Sequence, residues 1–172
     1  MKEVFLEAIC GRDEKCRGDV LSEINQIFSA PPLETPGGEG PPLIKYDGGD
    51  PLVFIQKSRY LNAKYGSLFQ NWRGDFCPIC GTKPVVFIRR EVGEIFQTVV
   101  KVSKCACGFE WRYDYWRCPN CGASGRERFE VFRLGDALVY RCRECRYKTI
   151  ELDGAADEET IYLARVVVNY VD

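Results

Sequence analysis

Eight of the ten cysteines in this 172-residue chain fall into four close pairs. They read Cys77-Pro-Ile-Cys80-Gly, Cys105-Ala-Cys107-Gly, Cys118-Pro-Asn-Cys121-Gly and Cys142-Arg-Glu-Cys145. Two thiolates so close together on a tight turn can point at one metal ion. A glycine after the second lets backbone N–H groups turn toward the sulfurs. Two such knuckles complete one tetrahedral four-sulfur site, so four knuckles make two sites. The candidate ligands are therefore Cys77, Cys80, Cys105, Cys107, Cys118, Cys121, Cys142 and Cys145, holding two metal ions.

Four pairs combine into two sites in three ways. Sequential pairing joins 77/80 with 105/107 and 118/121 with 142/145, leaving intervening loops of 24 and 20 residues. Each loop is long enough for one hairpin, whereas interleaved pairing needs longer crossings. The chain has no histidine and one methionine. A site filled by four thiolates has no open position for a water, and no imidazole is at hand as a base, so hydrolytic metal chemistry is not expected. The protein reads as a binding protein rather than an enzyme. Zinc is the first expectation for the metal and iron the second, since both accept four sulfurs. Cys10 and Cys16 lie outside this array. We read them first as buried or free thiols, then as a disulfide, and last as part of a third metal site, because only two ligands are visible.

The totals fit an intracellular globular protein. The chain is 45% hydrophobic and 28% charged, and no apolar run approaches the ~20 residues that span a bilayer. Its first nine residues carry two glutamates and lack a signal-peptide pattern. A cytoplasmic location follows, with thiols kept reduced; disulfides are the rival reading of the paired cysteines. The formal charge is −1, and each four-thiolate site holding a divalent ion adds two negative charges, giving about −5. That argues against a nucleic-acid binder. From Lys101 to Lys148, however, 11 Lys or Arg face 6 Asp or Glu. These cations offset the anionic sites or, alternatively, form a docking face for an acidic partner.

The elements that must position the knuckles can be read in order. A short helix is expected over Glu3–Ile9. A second runs from Asp19 as N-cap, with Val20, Ile24, Ile27 and Phe28 on one face. Residues 30–42, dominated by proline, glycine and glutamate, form a loop. Asp50-Pro51 opens a helix reaching about Trp72, with Leu61, Tyr65, Leu68, Phe69 and Trp72 on one face; Gly66 weakens it. This helix is expected to pack on the N-terminal helices. Val85–Glu91 and Ile95–Val102 make a hairpin turning at Val92-Gly93-Glu94. Phe109–Trp116 is a strand with Phe109, Trp111, Tyr113 and Tyr115 on one face. Phe129–Leu134 and Ala137–Arg141 make a second hairpin around Gly135-Asp136, followed by a strand at Tyr147–Leu152. Asp157 starts a final helix facing inward with Ile161, Ala164, Val168 and Val171. The fold class is α+β: two tandem rubredoxin- or zinc-ribbon-like β modules between N-terminal helices and a C-terminal helix. The expected divisions are 1–73 (helical, with the loop), 74–115 (first metal module), 116–153 (second metal module) and 154–172 (C-terminal helix).

One family shares this arrangement. Cys77-Pro-Ile-Cys80-Gly-Thr-Lys-Pro84, Cys107-Gly-Phe-Glu110-Trp111, Cys118-x-x-Cys121 and Cys142-x-x-Cys145-Arg-Tyr147-Lys148 resemble the formate dehydrogenase accessory proteins of the FdhE family. The resemblance covers about residues 72–152. Glu110-Trp111 and Tyr147-Lys148 separate the pattern from generic zinc ribbons. It implies tandem rubredoxin-like modules beside a helical domain, and a cytoplasmic role in maturing formate dehydrogenase, a molybdenum- or tungsten-pterin enzyme. The implied partner is the catalytic subunit of that enzyme or of another molybdopterin oxidoreductase, with no membrane partner. Two departures stand out: Cys105-x-Cys107 is one residue tighter than the family's knuckle, and the region before Cys77 is shorter than the family's helical part. Two competing functions remain. In a nucleic-acid-binding zinc ribbon, Trp111, Tyr113, Tyr115 and Trp116 would stack on bases. A rubredoxin-like electron carrier is the other.

Overall fold

The computed structural model describes residues 2–29, 40–93, 98–154 and 156–171. The chain opens with α1 (Lys2–Cys10) and α2 (Glu14–Ser29). Gly11, at φ +59°, ends α1 by returning its N–H to Glu7 O at 2.8 Å. Asp13 then caps α2, its carboxylate accepting from the N–H groups of Lys15 and Cys16 at 2.9 and 3.1 Å. The expected cap, Asp19, therefore lies inside the helix, because the Gly11 turn and the Asp13 cap start α2 earlier. Ile24 is fully buried and Val20 packs at the edge of the same core; the side chains of Ile27 and Phe28 lie outside the described residues. A disulfide joins Cys10 to Cys16 with the Cα atoms 5.6 Å apart. This corrects the free-thiol reading: the tight α1–α2 joint brings both residues within bridging distance.

Most of the expected loop, 30–39, lies outside the described residues; 40–42 are irregular. Helix α3 (Pro51–Tyr65) starts as expected, with Asp50 Oδ1 accepting from Leu52 N at 2.8 Å and Pro51 in the first turn. It stops at Tyr65, however, and a 3₁₀ turn follows at Gly66–Phe69. That change of period swings Leu68 out to 75% exposure, so it leaves the face predicted for it. α3 touches α2, as expected, and also buries its other side against the cysteines. Leu61 is fully buried in the cluster around Cys77, Cys80, Cys105 and Cys107, with Phe54, Tyr60 and Tyr65 beside it.

Six strands follow: β1 (Val86–Val92), β2 (Thr98–Lys104), β3 (Glu110–Tyr113), β4 (Phe129–Leu134), β5 (Ala137–Cys142) and β6 (Lys148–Asp153). The chain ends in α4 (Glu158–Val167), capped by Asp157 accepting from Thr160 N at 2.8 Å. Both hairpins form as expected. The first turn's Glu94 and residues 95–97 lie outside the described residues. The fold is α+β, and the two halves that carry the cysteine knuckles are joined into a single sheet, ordered β3-β2-β1-β6-β5-β4. All neighbours are antiparallel except the central pair, where β1 and β6 run parallel with Val86 opposite Ile150 and Ile88 opposite Leu152.

That parallel pair decides where the metal knuckles lie. Parallel strands start at the same end. The first knuckle precedes β1 and the fourth precedes β6, while β2 and β5 run back toward that end to deliver the second knuckle and Cys142. All four knuckles therefore gather at one end of the sheet. One face carries Val86, Ile88, Val139, Ile150 and Leu152 and is covered by Phe5 and Leu6 of α1, Ile24 of α2, and Ile161, Leu163, Ala164 and Val167 of α4. Each fully buried side chain of this kind contributes about 2 kcal/mol. On the opposite face, Phe87 joins Phe109, Trp111 and Tyr113 against the first four cysteines.

This second face also buries charge. Lys101 is 5% exposed and Glu151 is 4% exposed. The ammonium of Lys101 lies 4.0 Å from the Phe87 ring centroid and 4.9 Å from that of Tyr140. Ser103 Oγ, Tyr115 OH and Glu151 Oε2 have no hydrogen-bond partner among the described residues. Burial pulls the Lys101 ammonium down to about 8, against the attraction of Glu151. Its ordinary value is 10.5, so between these limits the unfolded chain binds more protons and stability rises with pH. We expect the native protein to gain about 3 kcal/mol over Lys101→Met between pH 8 and pH 10.5. Urea unfolding of both proteins across that range would measure it; parallel pH profiles would show that Lys101 is not desolvated.

Candidate metal centres

Each knuckle is closed by backbone hydrogen bonds at its first cysteine. Cys77 N–H donates to Thr82 O at 2.8 Å, and Cys77 O accepts from Gly81 N at 2.9 Å. The same two bonds recur between Cys118 and Ala123 and Gly122, at 2.8 and 2.9 Å, and between Cys142 and Tyr147 and Arg146, both at 2.9 Å. At the shorter second knuckle both bonds move up by one residue: Cys105 N–H donates to Phe109 O at 3.0 Å and Cys105 O accepts from Gly108 N at 2.9 Å. The missing residue is thus absorbed by a tighter version of the same turn.

The turn requires a left-handed residue, and Gly81, Gly108 and Gly122 supply it at φ +71°, +87° and +76°. In the fourth knuckle that position is Arg146, at φ +62°. A side chain there costs on the order of 1 kcal/mol.

The structure brings the eight cysteines together as two groups of four: Cys77, Cys80, Cys105 and Cys107, and Cys118, Cys121, Cys142 and Cys145. Within each group all sulfurs lie within 4.8 Å of one another. The contacts follow the same diagonal scheme in both. Cys77 meets Cys107 at 3.5 Å and Cys80 meets Cys105 at 3.3 Å; Cys118 meets Cys145 at 3.5 Å and Cys121 meets Cys142 at 3.7 Å. A tetrahedral ion with metal–sulfur bonds of about 2.3 Å sets its sulfurs about 3.8 Å apart, so both groups fit one small cation each. All eight are free thiols.

The thiols themselves show why a cation belongs there. Burial pushes Cys77 far up, and it raises Cys118 to about 12. Cys105 is held well down, chiefly by hydrogen bonding with Cys107 and then with Cys77 and Cys80. Cys145, despite burial, is drawn down to about 6 by the Asn120 side chain and the Tyr147 N–H. Each group thus favours one thiolate and resists a fourth; a cation removes that resistance.

The two sites differ in exposure. Every ligand of the first is buried, while Cys121 is exposed and Cys145 half-buried in the second. Thr82 Oγ1 lies 3.1 Å from Cys80 Sγ and 3.2 Å from Cys105 Sγ. A cleft of about 700 Å³ is bordered by Cys80 on one side and Cys121 on the other. Lys83 Nζ crosses between the sites to Asn120 Oδ1 at 2.5 Å.

Several supporting residues were not singled out from sequence. Arg165 of α4 faces both sites, bordering crevices with Cys105 and with Cys145, and its Nη2 donates to Lys104 O at 3.1 Å. Asp75 takes the Tyr113 hydroxyl at 2.7 Å and the Arg117 guanidinium at 3.1 and 2.8 Å, tying the two halves together. Neither carries a local signal: Arg165 reads as one cation on an amphipathic helix, Asp75 as a loop acid. The residues behind the family resemblance also have structural work. Trp111 Nε1 donates to Gly74 O at 3.0 Å, Glu110 pairs with Arg90 and Lys104, and Tyr147 OH donates to Pro84 O at 3.2 Å. Of the predicted aromatic row, Phe109, Trp111 and Tyr113 are buried; Tyr115 is only half-buried. No helix among the described residues is long and apolar enough to cross a membrane.

Comparison of the chain with protein-family models, curated proteins and solved structures found no match.

The difference in burial predicts an order of metal release. A chelator should empty the second site several-fold faster than the first, measured on metal-loaded Cys77→Ser and Cys118→Ser variants that each retain one site; equal rates would contradict it. Arg146→Gly should raise the stability of the metal-loaded protein by about 0.5–1 kcal/mol in thermal unfolding, since the exposed Arg146–Glu130 pair at 3.9 Å offsets little.

Proposed function

We propose that this protein is a zinc-stabilised scaffold that acts by binding another protein, and that its client is the catalytic subunit of formate dehydrogenase or a related molybdopterin oxidoreductase. The observation that carries the scaffold reading is the pair of closed, all-cysteine groups set side by side at one end of a single sheet. Each would hold its ion with no position left for substrate. The ion's contribution would be to cancel thiolate charge and fix the knuckles, so that the end of the sheet presents a rigid surface. The choice of client rests on the resemblance in motif order and flanking residues to the formate dehydrogenase accessory proteins, and on that alone.

Zinc suits a closed site with no redox work. Iron in the same sulfurs would add one-electron chemistry, and the exposure of Cys121 favours an electron carrier as the second reading. The nucleic-acid reading loses support from the burial of Trp111 and Tyr113, which leaves them unable to stack on bases.

Affinity capture from native cytoplasm, with metal analysis of the same sample, tests the proposal. We expect a molybdopterin-enzyme catalytic subunit and two zinc ions per chain. Recovery of nucleic acid or transcription machinery would overturn the client, and two irons would move the reading to electron transfer.

A further inference from the structure

The Cys10–Cys16 bond lies apart from both metal sites, and the scaffold role makes no use of it. Its two sulfurs sit in opposite electrostatic settings. Cys10 is the last residue of α1 and Cys16 the third of α2, a helix of 16 residues. A helix carboxyl end disfavours an anion and an amino end stabilises one. Between and beside the two, Arg12, Lys15 and Arg17 outnumber Asp13 and Glu14. The Asp13 carboxylate is already engaged by two backbone N–H groups. Arg17 Nη2 reaches back over the joint to Gly11 O at 3.1 Å while its Nη1 pairs with Glu3 at 3.0 Å, which leaves Arg12 and Lys15 as the cations nearest Cys16 in sequence. Both cysteines are half-buried, within reach of a small molecule.

The bond is not the sole anchor of its helix. α1 is anchored by buried Phe5 and Leu6 and by Lys2, which pairs with Glu159 and, at 3.1 Å, with Asp157. A bridge between residues six apart constrains the unfolded chain less than one closing a long loop.

We propose that Cys10–Cys16 is a thiol–disulfide exchange site for low-molecular-weight thiols, in which Cys10 is the sulfur attacked and Cys16 the leaving group. A thiolate RS⁻ attacks Cys10 Sγ; the Cys10–Cys16 bond breaks, its electron pair leaves on Cys16, and a mixed disulfide forms on Cys10. A second RS⁻ attacks the R-side sulfur of that mixed disulfide, forming RSSR and releasing the Cys10 thiolate. Two thiols are oxidised to one disulfide, the protein disulfide is reduced to two thiols, and the protons given up by RSH end on Cys10 and Cys16. The asymmetry follows from the better leaving group being the more stabilised thiolate. In reverse, the Cys10 thiolate attacks a small disulfide RSSR and releases RS⁻. The Cys16 thiolate then attacks Cys10 Sγ of the mixed disulfide, releases the second RS⁻ and closes the Cys10–Cys16 bond.

The test uses the full chain loaded with zinc, so that metal-bound cysteines are masked, and treats it with millimolar glutathione. Acid-quenched samples are mapped by mass spectrometry, with zinc content measured alongside. We expect reduction of Cys10–Cys16 with zinc retained and glutathione trapped on Cys10. In single variants at pH 7, Cys16 in Cys10→Ser should alkylate at least about tenfold faster than Cys10 in Cys16→Ser. A bond that survives glutathione, glutathione trapped on Cys16, equal alkylation rates, or zinc loss in place of disulfide reduction would each overturn the proposal.

Discussion

Four thiolates gathered within 4.8 Å would repel one another, and the architecture sets up that conflict twice, each time in a group that a cation would resolve. Without one, protons must stay on most of the sulfurs, and each group becomes a cluster of weakly interacting thiols in a buried place. With one, eight side chains become the fixed points from which turns, strands and α3 take their positions. The first group shows this most directly, because its four cysteines are themselves members of the hydrophobic cluster that Leu61, Phe87, Phe109 and Trp111 complete. The metal site and that core are one object.

The parallel pairing of β1 with β6 converts two such sites into one functional end. Had β1 and β6 met antiparallel, the knuckles of the two halves would lie at different ends. Instead Asp75, Lys83 and Tyr147 each reach from one half into the surroundings of the other, and Arg165 of α4 borders both. The polar face beneath, with Lys101 among aromatic rings and Glu151 across from it, belongs to neither half alone, since Lys101 comes from β2 and Glu151 from β6. The interlock is therefore made from strand pairing and buried charge as well as apolar area.

What the sequence made legible was local. Cys-x-x-Cys-Gly encodes a turn and its ligands within a few residues, and Gly135-Asp136 between alternating strands encodes a hairpin, so both appeared where expected. Asp50-Pro51 and Asp157 announced helix starts in the same way. Misreadings arose where two local signals competed. Asp19 looked like a cap, but Asp13, beside the Gly11 turn, captured the helix first. Leu68 kept helical spacing with Leu61 and Tyr65, but the 3₁₀ turn after Tyr65 rotated it into solvent. What the sequence did not announce was long-range. No periodicity records that Val86 will lie beside Ile150, or that Arg165 will face two metal sites, because such contacts depend on the whole topology. Cys10 and Cys16 fall between these cases, since their bond required knowing how sharply α1 turns into α2.

The same central pairing sets a condition on how the chain comes into being. Synthesis proceeds from the amino end, so β1, β2 and β3, with a complete first set of four ligands, leave the ribosome well before β6 exists. During that interval the edge of β1 that β6 will occupy is bare, and Val86 and Ile88 have β2 on one side and no strand on the other. An open hydrophobic edge invites pairing with another nascent chain. The first half thus has all four of its ligands early yet stays structurally unfinished until Asp153 has been added, and the newborn molecule passes through a stage in which that edge is open.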